Sequence, residues 1–210
     1  MTLYLVRHGE TEWNLEQRRQ GRADSSLTER GREQVRAGGR ALRAELGERP
    51  DVRLCTSPIG RARQSARIVA HELGLQDSAL EIDERLAECD LGDWTGLTSD
   101  QVEARDPGAL GRREGDKWSF RMPSGESYVD LDVRARHWLA ELSGARPVIA
   151  VTHEMLGRAL CGAHLGLAPE QVLALRLGHG VAQRLTADEG GGCGRREELR
   201  DPRARPEDAA

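Results

Sequence analysis

Two short apolar runs in this chain each stop abruptly at a histidine. The first, Thr2–Val6 (TLYLV), leads into Arg7-His8-Gly9, and the second, Pro147–Val151 (PVIAV), leads into Thr152-His153. Runs of this length and composition, bounded by polar residues, predict buried strands. Between them the spacing of apolar residues is helical. Leu27–Leu46 places Leu27, Val35, Ala41, Leu42 and Leu46 at that spacing and stops at Gly47 and Pro50. Gly60–Leu73 is followed by Gly74, a common helix stop. Val52–Cys55 and Leu80–Ile82 read as further short strands, and Glu126–Leu142 as an amphipathic helix. Met155–Leu167 is apolar nearly all round and reads as a buried helix. Strands alternating with helices predict a parallel sheet in an α/β fold.

The chain has 210 residues, enough for one domain with an insertion or a tail. Apolar residues make up 38% and 24 residues are Gly, an ordinary globular balance. Residues 1–187 are expected to form the domain. Residues 105–125 lack a clear period and read as a loop insertion, entered after the capping box Thr98–Gln101. From Asp188 onward large apolar residues nearly vanish, which predicts a disordered tail over 188–210. A net charge of −4 argues against general nucleic-acid or membrane-surface binding. All but Lys117 of the 31 basic residues are Arg, so most arginines carry no functional signal by themselves. Cys55, Cys89, Cys161 and Cys193 have no paired metal-ligand spacing, and no signal peptide precedes them. They read as reduced thiols in a cytoplasmic protein. No apolar run approaches 18 residues, so no spanning helix is expected.

In open α/β sheets, ligand sites lie beyond the carboxyl ends of the strands, at a topological switch point. His8 and His153 both follow strands, so they can meet in one crevice. Arg7 is adjacent to the first, Arg61 opens the helix after the second strand, and Glu88 follows the third. That set suits a phosphate monoester. Arginine forks match phosphoryl oxygens, a neutral imidazole can attack phosphorus, and a carboxylic acid can protonate the leaving oxygen.

These residues lie in motifs that resemble the histidine phosphatases, the phosphoglycerate mutase-like superfamily. The motifs are RHGETEWN (7–14), TSPIGRARQSA (56–66), LAECDLGDWTG (86–96) and VTHEMLGRAL (151–160), in the family's order. Weaker matches are QGRADSSLTERG (20–31) and PSGESYVDLDVR (123–134). The resemblance spans residues 2 to about 167 and implies the phosphoglycerate mutase-like α/β fold, a three-layer sandwich with a mainly parallel central sheet flanked by helices. It implies a phosphohistidine on His8, phosphoryl oxygens held by Arg7, Arg61, His153 and Asn14, and Glu88 as acid and then base. It implies no metal or other cofactor, and a small phosphorylated metabolite as substrate. Sugar phosphates, phosphoserine, phosphoglycerate and a cobalamin precursor all fit, and no oligomeric state is specified.

Two departures stand out: Glu154 where the family usually has Gly, and Thr95 where it often has Glu. Mutases of this type carry a longer insertion between acid and second histidine than the stretch from Glu88 to His153 here. The small phosphatase branch is therefore expected over a phosphoglycerate mutase, with a non-catalytic phospho-ligand module as a remote third reading. Trp118, Phe120 and Arg121 can form either a lid on the leaving group or a loop packed back on the domain. His71, His137, His164 and His179 are expected to be surface or packing residues, and Trp94 and Trp138 core aromatics.

Overall fold

Strands β1 (Thr2–Arg7) and β4 (Val148–Thr152) lie side by side and parallel, with Arg7 in register with Thr152. The computed structural model describes residues 2–142, 146–187 and 194–204. In chain order the other elements are α1 (Glu12–Leu15), α2 (Glu29–Leu46), β2 (Arg53–Thr56), α3 (Gly60–Leu73), β3 (Leu80–Ile82), α4 (Ser99–Arg105), α5 (Ala109–Gly115) and α6 (Tyr128–Ala140). After β4 follow α7 (Glu154–Leu165), α8 (Pro169–Ala174), β5 (Ala182–Thr186) and β6 (Arg195–Glu198). The sheet order is β3-β2-β4-β1-β5-β6, with the first four strands parallel, β5 antiparallel to β1 and β6 antiparallel to β5.

Alternation along the strands builds the three layers. Leu3, Leu5, Val148 and Ala150 point to one face, into a cluster with Leu131, Trp138, Leu156 and Leu160 of α6 and α7. Tyr4, Val6, Ile149 and Val151 point to the other, against Val35, Leu42, Val69 and Leu73 of α2 and α3. Trp94 and Trp138 are buried, as their sequence setting suggested. From β1 the chain crosses through α2 to β2, on one side of β1; from β4 it crosses through α7 and α8 to β5, on the other side. The crevice beyond β1 and β4 is therefore the switch point.

One close approach fixes the loop after His8. A Cβ on Gly9 would lie 2.2 Å from the Gly31 carbonyl oxygen, and one on Gly31 would lie 2.0 Å from that of Glu10. Glycine at both positions lets the first turn of α2 pack directly on the loop that carries the histidine.

Two expectations are corrected. The tail is ordered where it is described. β6 pairs along β5, the Gly194 amide donates to the Leu165 carbonyl at 3.1 Å, and the Leu199 amide donates to that of Ala182 at 2.9 Å. Arg40 clasps the nearly buried Asp201 at 2.7 Å. Pairing at a sheet edge uses backbone groups, so a charged segment joins without large apolar residues. Residues 188–193, with Cys193, and 205–210 lie outside the described residues. The stretch 105–125 is likewise no irregular loop. It carries α5, entered through Gly108 at φ +80°, and buries Ala109 and Met122.

Candidate active site

His8 continues the ladder between the two central strands, its amide donating to the Thr152 carbonyl at 2.9 Å. His153 caps α7 from the end of β4. The two rings meet edge to face, 5.2 Å between centroids, and both are buried. His8 Nδ1 lies 2.7 Å from the Gly9 carbonyl oxygen. A carbonyl only accepts, so Nδ1 carries the hydrogen and Nε2 keeps its lone pair. Arg61 Nε donates to that Nε2 at 3.2 Å. Burial first, then the Arg61 charge, holds both histidines well below the ordinary imidazole pKa, so both are neutral near pH 7.

Arg61 is almost fully buried at the start of α3. Its Nη1 and Nη2 donate to the carbonyls of Ala23 (2.5 Å) and Gly21 (2.8 Å), and Asp24 accepts from its backbone amide at 3.0 Å. Burial pulls its pKa down to about 10, which leaves it charged at neutral pH. Arg7 donates through Nη1 to the Leu177 carbonyl at 2.7 Å and pairs through Nη2 with Glu154 at 3.1 Å. Its Nε is buried without a hydrogen-bond partner, as is Nδ1 of His153, whose Nε2 meets Ser57 Oγ at 2.8 Å. Buried polar atoms without partners are uncommon in proteins.

Glu88 is the buried carboxylate of its motif. It accepts from the amides of Cys89 (2.9 Å), Met155 (3.2 Å) and Leu156 (3.1 Å), the last two in the first turn of α7. Its neighbours point elsewhere: Asp90 accepts from the Gly92 amide at 2.9 Å, while Glu84 and Asp93 are exposed. Arg134 holds the preceding chain through the carbonyls of Arg85 (2.9 Å) and Ala87 (2.5 Å). Asn14 Oδ1 accepts from the amide and hydroxyl of Thr11, which leaves the amide NH2 as the donor for the cavity.

Arg7, His8, Asn14, Arg61, Glu88 and Glu154 line an inner cavity of about 160 Å³. It adjoins an outer chamber of about 360 Å³, with which it shares Asn14, Arg18, Leu91 and Met155. Arg19, Trp94, Arg113 and Met122 complete much of the outer wall. Trp118, Phe120 and Arg121 line neither. Trp118 stacks on Tyr128 (5.7 Å), Phe120 packs beside Trp94 (5.6 Å), and Arg121 pairs with Asp130 (2.6 Å), so in this structure the three side chains rest on the domain and not in either cavity. From the same insertion it is Arg113 and Met122 that reach the chamber.

His179, expected as a surface or packing residue, packs beside the site. Its ring lies 5.8 Å from that of His8, its Nε2 is buried without a partner, and burial lowers its pKa to about 4. The available signal was a histidine flanked by Gly178 and Gly180 just before β5. Among the described residues, no group of three or more His, Cys, Asp or Glu is arranged to hold a metal ion.

The model of the histidine phosphatase superfamily (branch 1) matches residues 3–196. The chain belongs to that superfamily. A glucosyl-3-phosphoglycerate phosphatase of Mycobacterium tuberculosis is 38% identical over 177 residues, covering 79% of this chain and 75% of that one. A 2,3-bisphosphoglycerate-dependent phosphoglycerate mutase of Brucella anthropi is 36% identical over 200 residues, covering 89% and 93%. The solved structure of mycobacterial glucosyl-3-phosphoglycerate phosphatase with VO3 superposes with a TM-score of 0.77 at 32% identity, covering 94% of this chain and 96% of that one. This histidine phosphatase therefore has the expected fold and is an enzyme acting on phosphate esters. Among the described residues no helix is long and apolar enough to cross a membrane.

Proposed function

We propose that this histidine phosphatase hydrolyses small phosphate monoesters through a phosphohistidine on Nε2 of His8. The observation that carries the reading is the fixed tautomer of His8. The Gly9 carbonyl holds Nδ1–H, so a neutral Nε2 lone pair faces the cavity beside the Arg61 guanidinium. In the first step Nε2 attacks phosphorus, the bond from phosphorus to the ester oxygen breaks, and Glu88 gives its proton to the departing alkoxide. In the second, water attacks phosphorus, Glu88 takes the water's proton, and the P–N bond breaks to release orthophosphate. Arg61 Nε loses its acceptor when Nε2 bonds phosphorus, and a phosphoryl oxygen is the natural replacement. Arg7 Nε and the Asn14 NH2 are further donors for the same dianion, and His153 Nδ1 joins them in the tautomer whose Nε2 accepts from the Ser57 hydroxyl. Fixed donors in a buried site do most of the work in phosphoryl transfer.

Arg18, Arg19 and Arg113 around the outer chamber support a leaving group that itself carries an anion, with Trp94 offering an apolar face. Both named relatives act on phosphoglycerate-type compounds, which fits that chemistry. The thiols of Cys55, Cys89 and Cys161 are buried and unpaired, which supports a reducing, cytoplasmic setting. Transfer to a substrate hydroxyl, as in the mutase relative, is the second reading. A metabolite panel scored for phosphate release, with phosphoglycerate mutase activity in parallel and chelator in half the wells, separates the two. Release of phosphate from carboxylate-bearing esters, unchanged by chelator, is expected. Isomerisation of phosphoglycerate outpacing release would establish the mutase, and activity lost to chelator and restored by Mg²⁺ would refute the scheme.

A further inference from the structure

Glu154 is the first residue of α7, directly after His153, and lines the inner cavity. Its carboxylate bridges two arginines. Oε2 lies 3.1 Å from Nη2 of Arg7, and Oε1 accepts from Nη2 of Arg158, one helical turn further on. On Arg7, Nη1 is engaged by the Leu177 carbonyl and Nε has no partner, so Glu154 covers the terminal nitrogen that the backbone does not engage. Arg158 is only 7% exposed. Its Nη1 donates to the Tyr128 hydroxyl at 3.3 Å, and among the described residues Glu154 is its one acidic partner. A buried guanidinium stripped of its carboxylate is strongly disfavoured. The pair Glu154–Arg158 is therefore complete whether or not Arg7 is also engaged.

We propose that Glu154 is a built-in competitor for Arg7: its carboxylate occupies the guanidinium in the free protein, yields to a phosphate dianion by settling on Arg158, and returns as the product leaves. This rests on the reading of Arg7 as a phosphate-binding residue. A carboxylate fixed beside a dianion site would simply repel the ligand. One with a second, buried cation at hand can exchange partners without becoming an unpaired charge. The exchange weakens binding of substrate phosphate and product phosphate alike, so KM and the product inhibition constant rise together and orthophosphate does not linger on the arginines.

Calorimetric titration of the full chain with inorganic phosphate, and separately with orthovanadate, tests this. Glu154→Gln keeps the size of the side chain and removes its charge. It should tighten both anions by roughly 3- to 10-fold, the range for a charge competition at a half-buried site. Glu154→Ala should shift affinity in the same direction, so the result does not depend on one variant. Arg158→Met should weaken phosphate binding when Glu154 is present and leave it unchanged in the Glu154→Gln background, a coupling that a purely structural role for Arg158 would not produce. The product inhibition constant for phosphate should fall in Glu154→Gln in step with the binding constant. Unchanged or weaker phosphate binding in both Glu154 variants would overturn the proposal and make Glu154 an orienting partner of Arg7. Arg7→Gln serves as the separate control. If it leaves phosphate affinity untouched, the reading of the site fails and the competitor with it, whatever the Glu154 variants do.

Discussion

His8 and Arg113 line adjoining cavities, yet different kinds of structure hold them. His8 sits at the end of a central strand, with its amide on the neighbouring strand and its Nδ1 on a carbonyl of its own loop. Arg61 is held by two carbonyls and Glu88 by three backbone amides. Arg113 lies at the end of a short helix in an insertion and pairs with its neighbour Glu114 at 2.9 Å. Arg18 pairs with Glu16 at 2.6 Å, and Arg19 reaches the Ser99 hydroxyl at 3.1 Å. The inner residues are thus fixed by backbone groups of strand, loop and helix, while the outer arginines are held mainly by side chains, Arg18 also reaching the Gly96 carbonyl at 2.9 Å. A fold can keep its chemistry in the first and change its substrate through the second.

The largest effect that separates the two regions should come from Glu88. Proton donation to a leaving oxygen is worth roughly 10²- to 10⁴-fold. Glu88→Gln should therefore lose turnover of a sugar or glycerol phosphate by about that factor. It should spare formation of phosphohistidine from a nitrophenyl phosphate, whose leaving group needs no proton. Asp90→Asn serves as the comparison in steady-state and pre-steady-state assays. If that variant alone shows the dependence on leaving group, the acid is assigned to the wrong carboxylate.

A second difference lies in acid stability, because the inner cavity buries neutral imidazoles and the outer arginines do not titrate. His8 and His153 bind a proton in the unfolded chain near pH 6.5, but in the folded state only well below it. The unfolded state therefore binds more protons as pH falls through that window. Their contribution is fully present above about pH 6.5 and declines on acidification, by at most about 1.4 kcal/mol per pH unit for each. Denaturant midpoints between pH 7 and pH 5 should fall. They should fall less steeply in His153→Gln, and equal slopes would show that the histidine is not held neutral.

The smallest effect should be the most selective. Arg113→Gln should raise KM for an ester whose leaving group carries a carboxylate by about tenfold, or 1.4 kcal/mol, and leave an uncharged aryl phosphate unchanged. Equal losses on both substrates would remove Arg113 from leaving-group recognition.

The same division explains what could be read from the sequence. β1 and β4 were legible because a strand buried on both faces must be an unbroken apolar run, and their histidines stand where each run stops. α3 was legible because its apolar face is periodic and Gly74 takes the left-handed conformation that ends it. β6 was not, because its RREE sequence pairs through backbone groups and shows no strand pattern. His179 was hidden because proximity to His8 depends on where β5 returns beside β1, which no local pattern encodes. Arg18, Arg19 and Arg113 were indistinguishable from solvated charge in a chain whose basic residues are nearly all arginine.

The covalent intermediate is the most direct test of the central claim. Enzyme mixed with phosphate-labelled substrate is quenched in base within one turnover and digested, and the labelled peptide is sequenced by mass spectrometry. The account predicts an acid-labile, base-stable phosphate on the peptide that carries His8, and none in His8→Ala, which should also lose turnover. Label on the peptide carrying His153, or full turnover in His8→Ala, would contradict it.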